Sequence, residues 1–359
     1  MARPNLHPDA GIHCLLIQPE FQASNFWNLT ESAATTGAST VAPPLGLLTV
    51  AVILPQHWTF QLVDLNVRDV SDEEWNAADV ICTGGMIPQQ NGILELIERA
   101  NRDGSYIVVG GPDPTSQPEI YADADARVLG EGELTIPMWL QSWRDGEPCG
   151  LFATDDKPDV TTSPTPRFDL VEFSNYLQAG IQISRGCPFN CEFCDIIELY
   201  GRIPRNKNVA QVLTELDRIA DLGYRGWVDI SDDNFIGNKA RLKQDVLPAL
   251  AEFMAARDYP FPLTPQLSVD LADDPVPLPE WAGLVVVPNS RGESFVRLRL
   301  DEQADLFVRD HLGDVTDDLV RTVLWAHCFD EVRTGAMPVP AYVDVVRVHL
   351  AAETSSTPG

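Results

Sequence analysis

Between residues 12 and 145, short apolar runs alternate with stretches whose apolar residues recur every three or four positions. The runs Ile12–Gln18, Phe60–Leu65, Val80–Thr83, Tyr106–Val109 and Arg127–Leu129 predict strands. Leu45–Leu54, Gly92–Arg102 and Leu134–Trp143 have helical spacing. Such alternation predicts a mostly parallel sheet covered by helices on both faces, a doubly wound α/β domain. Residues 146–175 break the rhythm: Pro148, Pro158, Pro164 and Pro166 stand among Thr, Ser and Asp, which predicts an extended connection.

Alternation resumes at Ile181–Ser184, a short strand leading into a cysteine-bearing loop. Val209–Leu222 reads as an amphipathic helix, apolar at Val209, Val212, Leu213, Leu216 and Ile219, with Asn208 as N-cap and Gly223 as terminator. Gly226–Ser231, Lys239–Arg257 and Leu263–Val269 continue a βαβαβ run. After Pro275 the pattern weakens; Gly283–Val287 and Phe295–Leu300 suggest strands, Glu302–Leu312 and Asp317–Asp330 helices, and residues 353–359 a frayed tail. The organisation expected is therefore a first domain over 1–146, a Pro-rich linker over 147–175, a second α/β core over 176–275 and a divergent region over 276–359.

Composition narrows the function classes. The hydrophobic fraction of 44% is that of an ordinary globular protein. A formal net charge of −28 argues against a nucleic-acid substrate, because phosphate binding relies on Lys and Arg. The longest apolar run, Leu45–Leu54, is far short of the ~20 residues of a spanning helix, and the N-terminus has no signal-peptide pattern, so a cytoplasmic protein without a membrane span is expected. Glycines mark the predicted strand ends: Gly84-Gly85, Gly110-Gly111, and Gly130 with Gly132. A turn explains any one pair; a ligand lying against the strand ends explains the set.

Of the 7 cysteines, Cys14 and Cys82 sit inside apolar strands and read as buried thiols, while Cys149 and Cys328 stand apart from any ligand pair. Cys187, Cys191 and Cys194 cluster in Ile-Ser-Arg-Gly-Cys-Pro-Phe-Asn-Cys-Glu-Phe-Cys, residues 183–194. Spacings of four and three let the thiolates of one wrapped loop converge on a cubane cluster, leaving one iron open to chelate an amino acid. A zinc knot normally uses four ligands, and no Cys or His follows Cys194 before residue 300.

This Cys-x3-Cys-x2-Cys loop after a strand, with Phe193 before its last cysteine, resembles the radical S-adenosylmethionine superfamily. The resemblance implies a partial (β/α) barrel carrying a [4Fe–4S] cluster on Cys187, Cys191 and Cys194, and cleavage of S-adenosylmethionine to a 5′-deoxyadenosyl radical. It puts Phe193 against the adenine and Asp232, Asp233 and Asn234, at the end of the next strand, near the amino group. Ser268 on the third strand is a weaker candidate for ribose contact. An Asp/Asn turn between strand and helix is the plain alternative for residues 232–234.

Pro43-Pro44-Leu45-Gly46-Leu47-Leu48, Asp64-Leu65-Asn66, Gly110-Gly111-Pro112 and Gly130-Glu131-Gly132-Glu133 are similar to the cobalamin-binding-type domain of class B radical enzymes, in the branch of the hopanoid methylases. Cobalamin contacts would then fall at Asn66, Gly84, Gly110, Gly111 and Glu131. Asn66 stands where a cobalt-ligating domain has His in Asp-x-His-x-x-Gly, so no imidazole comes from this motif. The activity implied is methylation of an unactivated carbon on a small or lipid-like substrate, with an external electron donor of flavodoxin or ferredoxin type. A radical enzyme without cobalamin, or a non-catalytic iron–sulfur protein, are the alternatives. The sequence after Asp274 departs from the family pattern, so the later barrel strands are expected to be altered or missing.

Overall fold

A computed structural model describes residues 7–22, 25, 28–266, 300, 302–350 and 353, and the chain divides into two compact units, Met1–Pro275 and Val276–Gly359. The first unit opens with six parallel strands: β1 (His13–Gln18), β2 (Thr59–Asp64), β3 (Val80–Gly84), β4 (Ile107–Gly110), β5 (Ala126–Val128) and β6 (Gly150–Phe152). Their order is β2-β1-β3-β4-β5-β6, so the topology reverses between β1 and β3. In such sheets a crevice opens beyond the carboxyl ends of the strands at that reversal.

The alternation of side chains along each strand builds a core on both faces. Cys14, Leu16, Cys82 and Val108 face one side with Trp139 and Ile136 of the Gly132–Arg144 helix. Leu15, Ile17, Ile81 and Val109 face the other with Ile93, Leu96 and Ile97 of the Gln90–Asp103 helix. Cys14 and Cys82 are buried free thiols with sulfurs 3.7 Å apart, as their apolar strand context predicts.

A second parallel sheet consists of β7 (Gln178–Ile181), β10 (Trp227–Ile230) and β11 (Leu263–Pro265), ordered β11-β10-β7. Between β7 and β10 lie two short antiparallel strands, β8 (Ser184–Arg185) and β9 (Arg205–Asn206). The Val209–Asp221 helix is started by a capping box of Asn208 and Gln211, and Gly223 ends it at φ +85°. It buries Val212, Leu216 and Ile219 against Ala179, Ile181, Val228 and Ile230. The Leu45–Ile53 helix serves both sheets, giving Ala51 to the first core and Leu48 to the second.

Three expectations change in detail. The strand expected at Ile181–Ser184 is split, because Ile183 N–H donates to Asp232 Oδ1 and Ile183 C=O accepts from Lys207 N–H rather than from a sheet neighbour. The long helix from Lys239 contains a π turn at Leu242–Val246, just before Pro248, which has no N–H to continue the ladder. Residues 147–175 are irregular, as their prolines require, yet they supply β6 and bury Phe168 completely. The strands expected over 283–287 and 295–299, Ser268, and the tail at 354–359 lie outside the described residues.

In the second unit the described residues form three helices, Glu302–His311, Asp318–Arg333 and Val339–His349. They pack around Val308, Leu312, Leu324, Cys328, Met337 and Val345. Asp317 caps the middle helix, accepting from Leu319 N–H and Val320 N–H.

Candidate functional site

The carboxyl ends of the first sheet open on a cavity of about 510 Å³. That volume lies in the range of small-molecule sites. Gly84, Gly110, Gly111 and Glu131 line it, and so do Gln182, Arg185 and Tyr200 from the cysteine-bearing segment. Strand ends from both sheets therefore face one space. The glycines are also demanded by the sheet itself: a Cβ on Gly84 would stand 2.2 Å from Gly110 O, and one on Gly110 2.7 Å from Val128 O. Close stacking of the strand ends and room for a ligand have the same cause here. Gly111 adopts φ +93°, a conformation that favours glycine.

Asn66 is not part of the cavity wall. Its amide donates to Pro19 O (3.1 Å) and Asp64 Oδ1 (2.7 Å), and its Oδ1 accepts from Phe21 N–H (2.9 Å). Asp64 in turn accepts from the Tyr176 hydroxyl at 3.1 Å. Burial raises the Asp64 carboxyl, against the hydrogen bonds from Asn66 and Tyr176. The Asp-Leu-Asn segment thus fastens the loop after β1 and the approach to β7.

β8 and β9 close the base of the cysteine loop. Gly186, at φ +94°, starts it; a Cβ there would lie 2.8 Å from Gly201 O and 3.1 Å from Ile203 O. Cys187 N–H donates to Gly201 O (3.2 Å), and the Ile196–Tyr200 helix brings the chain back, its end held by Lys157 Nζ on Leu199 O (2.6 Å). Cys187 and Cys194 are half-buried and Cys191 exposed. Phe193 is 92% exposed, so its ring adds nothing to the core. Three thiols within one eight-residue stretch are the donor chemistry of an iron–sulfur cluster. Among the described residues, no three Cys, His, Asp or Glu side chains are gathered at metal-holding distance. The loop thus brings its ligands together in sequence with its two ends fixed.

Asp232, Asp233 and Asn234 follow β10, and the two aspartates face the base of this loop. Asp232 is 2% exposed and accepts from Ile183 N–H and Ser184 Oγ, both at 2.6 Å. Burial pushes its carboxyl up to about 6 in spite of those bonds. Asp233 accepts from Gly186 N–H at 2.8 Å. Asn234 is buried, with its Oδ1 accepting from Ile236 N–H at 3.3 Å. Asp232 and Asp233 thus bind the segment that presents the cysteines, whereas Asn234 holds its own loop.

A cluster of charges went unrecognised in the sequence. Arg185 donates to Glu131 Oε2 (2.8 Å), to both Glu133 oxygens (2.8 and 3.0 Å) and to Gln182 Oε1 (2.7 Å). Arg205 donates to both Glu131 oxygens (2.6 and 3.0 Å). Burial alone would raise the Glu133 carboxyl, but its bonds to Arg185 hold it low. Nearby, Lys207 pairs with buried Glu215. The visible signal was the acidic pair in Gly-Glu-Gly-Glu beside arginines flanking the cysteines; linear spacing does not reveal that they meet.

Residues 32–138 match the B12 binding domain family. The chain is 47% identical over 265 residues to an uncharacterized methyltransferase of Synechocystis sp., covering 73% of this chain and 49% of that protein. It is 37% identical over 237 residues to the hopanoid C-2 methylase of Rhodopseudomonas palustris, covering 65% of this chain and 45% of the methylase. It thus spans about half the length of these relatives. Its fold resembles that of OxsB, a cobalamin-dependent S-adenosylmethionine radical enzyme, with a TM-score of 0.52 and 20% identity, over 67% of this chain and 37% of OxsB. Residues 32–138 thus form a domain of the B12-binding type, and the chain as a whole is similar to methyltransferases of which it spans about half.

Proposed function

We propose that this protein is a radical S-adenosylmethionine methyltransferase, acting on an unactivated carbon of a small or lipid-like substrate. The observation that carries the reading is the shared cavity: the glycine-marked strand ends of the B12-binding-type sheet and the strand leading into the cysteine loop face one space. Residues 1–146 would bind cobalamin, with Gly84, Gly110 and Gly111 letting it approach the backbone. Residues 176–275 would hold a [4Fe–4S] cluster on Cys187, Cys191 and Cys194, with Phe193 free to cover S-adenosylmethionine. When bound, the cluster supplies the electron for S-adenosylmethionine cleavage and the corrinoid carries the methyl group. The chain's own part is to present the three thiolates, hold the loop base through Asp232 and Asp233, and line the cavity with Val50, Ile53, Val108 and Ile136, which exclude water and suit an apolar substrate. An external electron donor of flavodoxin or ferredoxin type would be the partner. The hopanoid methylase relative supports the lipid-like substrate class.

Anaerobic reconstitution tests the proposal. Wild type should hold about four irons and four sulfides per chain, and C187A, C191A or C194A should lose them while C149A keeps them. Reduced protein given S-adenosylmethionine should release 5′-deoxyadenosine. Absorbance after incubation with hydroxocobalamin and gel filtration should show a retained corrinoid. An intact cluster without 5′-deoxyadenosine defeats the catalytic reading; turnover without retained corrinoid favours a radical enzyme that does not use cobalamin.

A further inference from the structure

Arg185 and Arg205 sit directly opposite each other on the β8–β9 ladder, the base of the cysteine loop. Like charges placed directly opposite across an antiparallel pair destabilise it. Both side chains are largely buried, 12% and 18% exposed, so water does little to screen them. One carboxylate joins them: Glu131, with its side chain 2% exposed, takes Arg185 on Oε2 and Arg205 on both oxygens. Glu133 adds two further bonds, to Arg185 only. Arg185 therefore has a second carboxylate and Gln182, whereas Arg205 has Glu131 as its carboxylate and otherwise the carbonyls of Pro158 and Tyr200.

We propose that Glu131 is a positioning residue that holds the cysteine loop closed by neutralising the arginine pair at its base, rather than a contact to cobalamin. The juxtaposition also explains why an acid at this position belongs to a loop remote in sequence from the cysteines. Repulsion built into the hairpin makes its closure depend on the Gly130–Glu133 segment of the first sheet. Without Glu131, Arg205 is the member left without a hydrogen-bonded carboxylate, drawn only through space by Asp233, and the hairpin opens from that side. The effect on cluster retention rests on the iron–sulfur reading above; closure of the hairpin does not.

The test uses the full chain without iron, comparing wild type, E131Q, and E131Q combined with R205Q. Glutamine at 205 keeps a donor for the Pro158 or Tyr200 carbonyl but removes the charge. Amide hydrogen exchange over residues 186–204 and the alkylation rates of Cys187, Cys191 and Cys194 are the readouts. E131Q should raise both by about tenfold or more, with exchange in β1, β3 and β10 unchanged. The double variant should return both to within about threefold of wild type, because one of the opposed charges is gone. Packing by Glu131 alone predicts no rescue, and a double variant as open as E131Q overturns the proposal. So does an unchanged loop in E131Q. Should E131Q unfold, the folded state of the double variant decides: recovery of wild-type exchange supports repulsion, and failure to recover refutes it. Iron and sulfide content of reconstituted wild type separately reports on the cluster reading, so the two can fail independently.

Discussion

Asp232 shows what a sequence motif conveys and what it omits. The run Ser231-Asp232-Asp233-Asn234 after a strand marks a place where acceptors converge, and they do. Which way a carboxylate points depends on the donors folded against it, and here those are Ile183 N–H, Ser184 Oγ and Gly186 N–H. Burial raises the folded-state carboxyl of Asp232 from its ordinary value near 3.8 to about 6. Its contribution to stability is fully present below about pH 4 and is lost as pH rises through 6. D232N, which has no charge to desolvate, should therefore gain on wild type by up to about 3 kcal/mol between pH 4 and pH 8 in urea unfolding. A pH-independent difference would mean that the carboxylate is better solvated than its burial implies. Gly186 gives a second residue-level test: at φ +94° and with three carbonyls around its missing Cβ, G186A should cost about 2 kcal/mol or more and raise hydrogen exchange in the cysteine loop. The cysteines and the glycines were legible because their chemistry and conformational freedom are local properties; the Arg–Glu cluster was not, because its members come from segments about 50 residues or more apart.

The helix Val209–Asp221 was legible down to its ends, since its apolar spacing, its N-cap and its terminating glycine all agree. Replacing Asn208 by Ala removes the side-chain half of the capping box and should lower stability by about 1 kcal/mol, read as a shift in urea midpoint with an unchanged slope. Elements held mainly by partners were harder. β6 is three residues long with two exposed, so nothing in its own composition announces a strand; it exists because β5 offers an open edge. The π turn before Pro248 and the split strand at Ile183 likewise follow from a missing donor and a diverted one, which hydrophobic spacing does not register. The Val339–His349 helix escaped notice because Pro340 stands near its start, where proline is compatible with a first turn.

Across the whole molecule, a net charge of −28 acts on every state of the chain. Self-repulsion of that size destabilises compact states, and salt screens it over a Debye length that falls from ~30 Å at 0.01 M to ~10 Å at 0.1 M. Melting temperature should therefore rise by several degrees across that range; a fall would show that exposed ion pairs such as Arg68–Glu74 outweigh the repulsion. The doubly wound sheet and the start of the second parallel sheet were readable from alternation alone. Their common cavity was not, because it depends on which ends of two separately wound sheets meet.

The Gly130–Glu133 segment borders that cavity and also grips the arginines beneath the cysteines. Thermodynamic linkage makes such an arrangement run both ways. If the proposed function holds, a corrinoid steadying this segment would favour assembly of the iron centre, and a finished iron centre would tighten corrinoid uptake by the same factor. Such coupling would show as a rise in corrinoid affinity on cluster assembly equal to the rise in cluster retention on corrinoid binding.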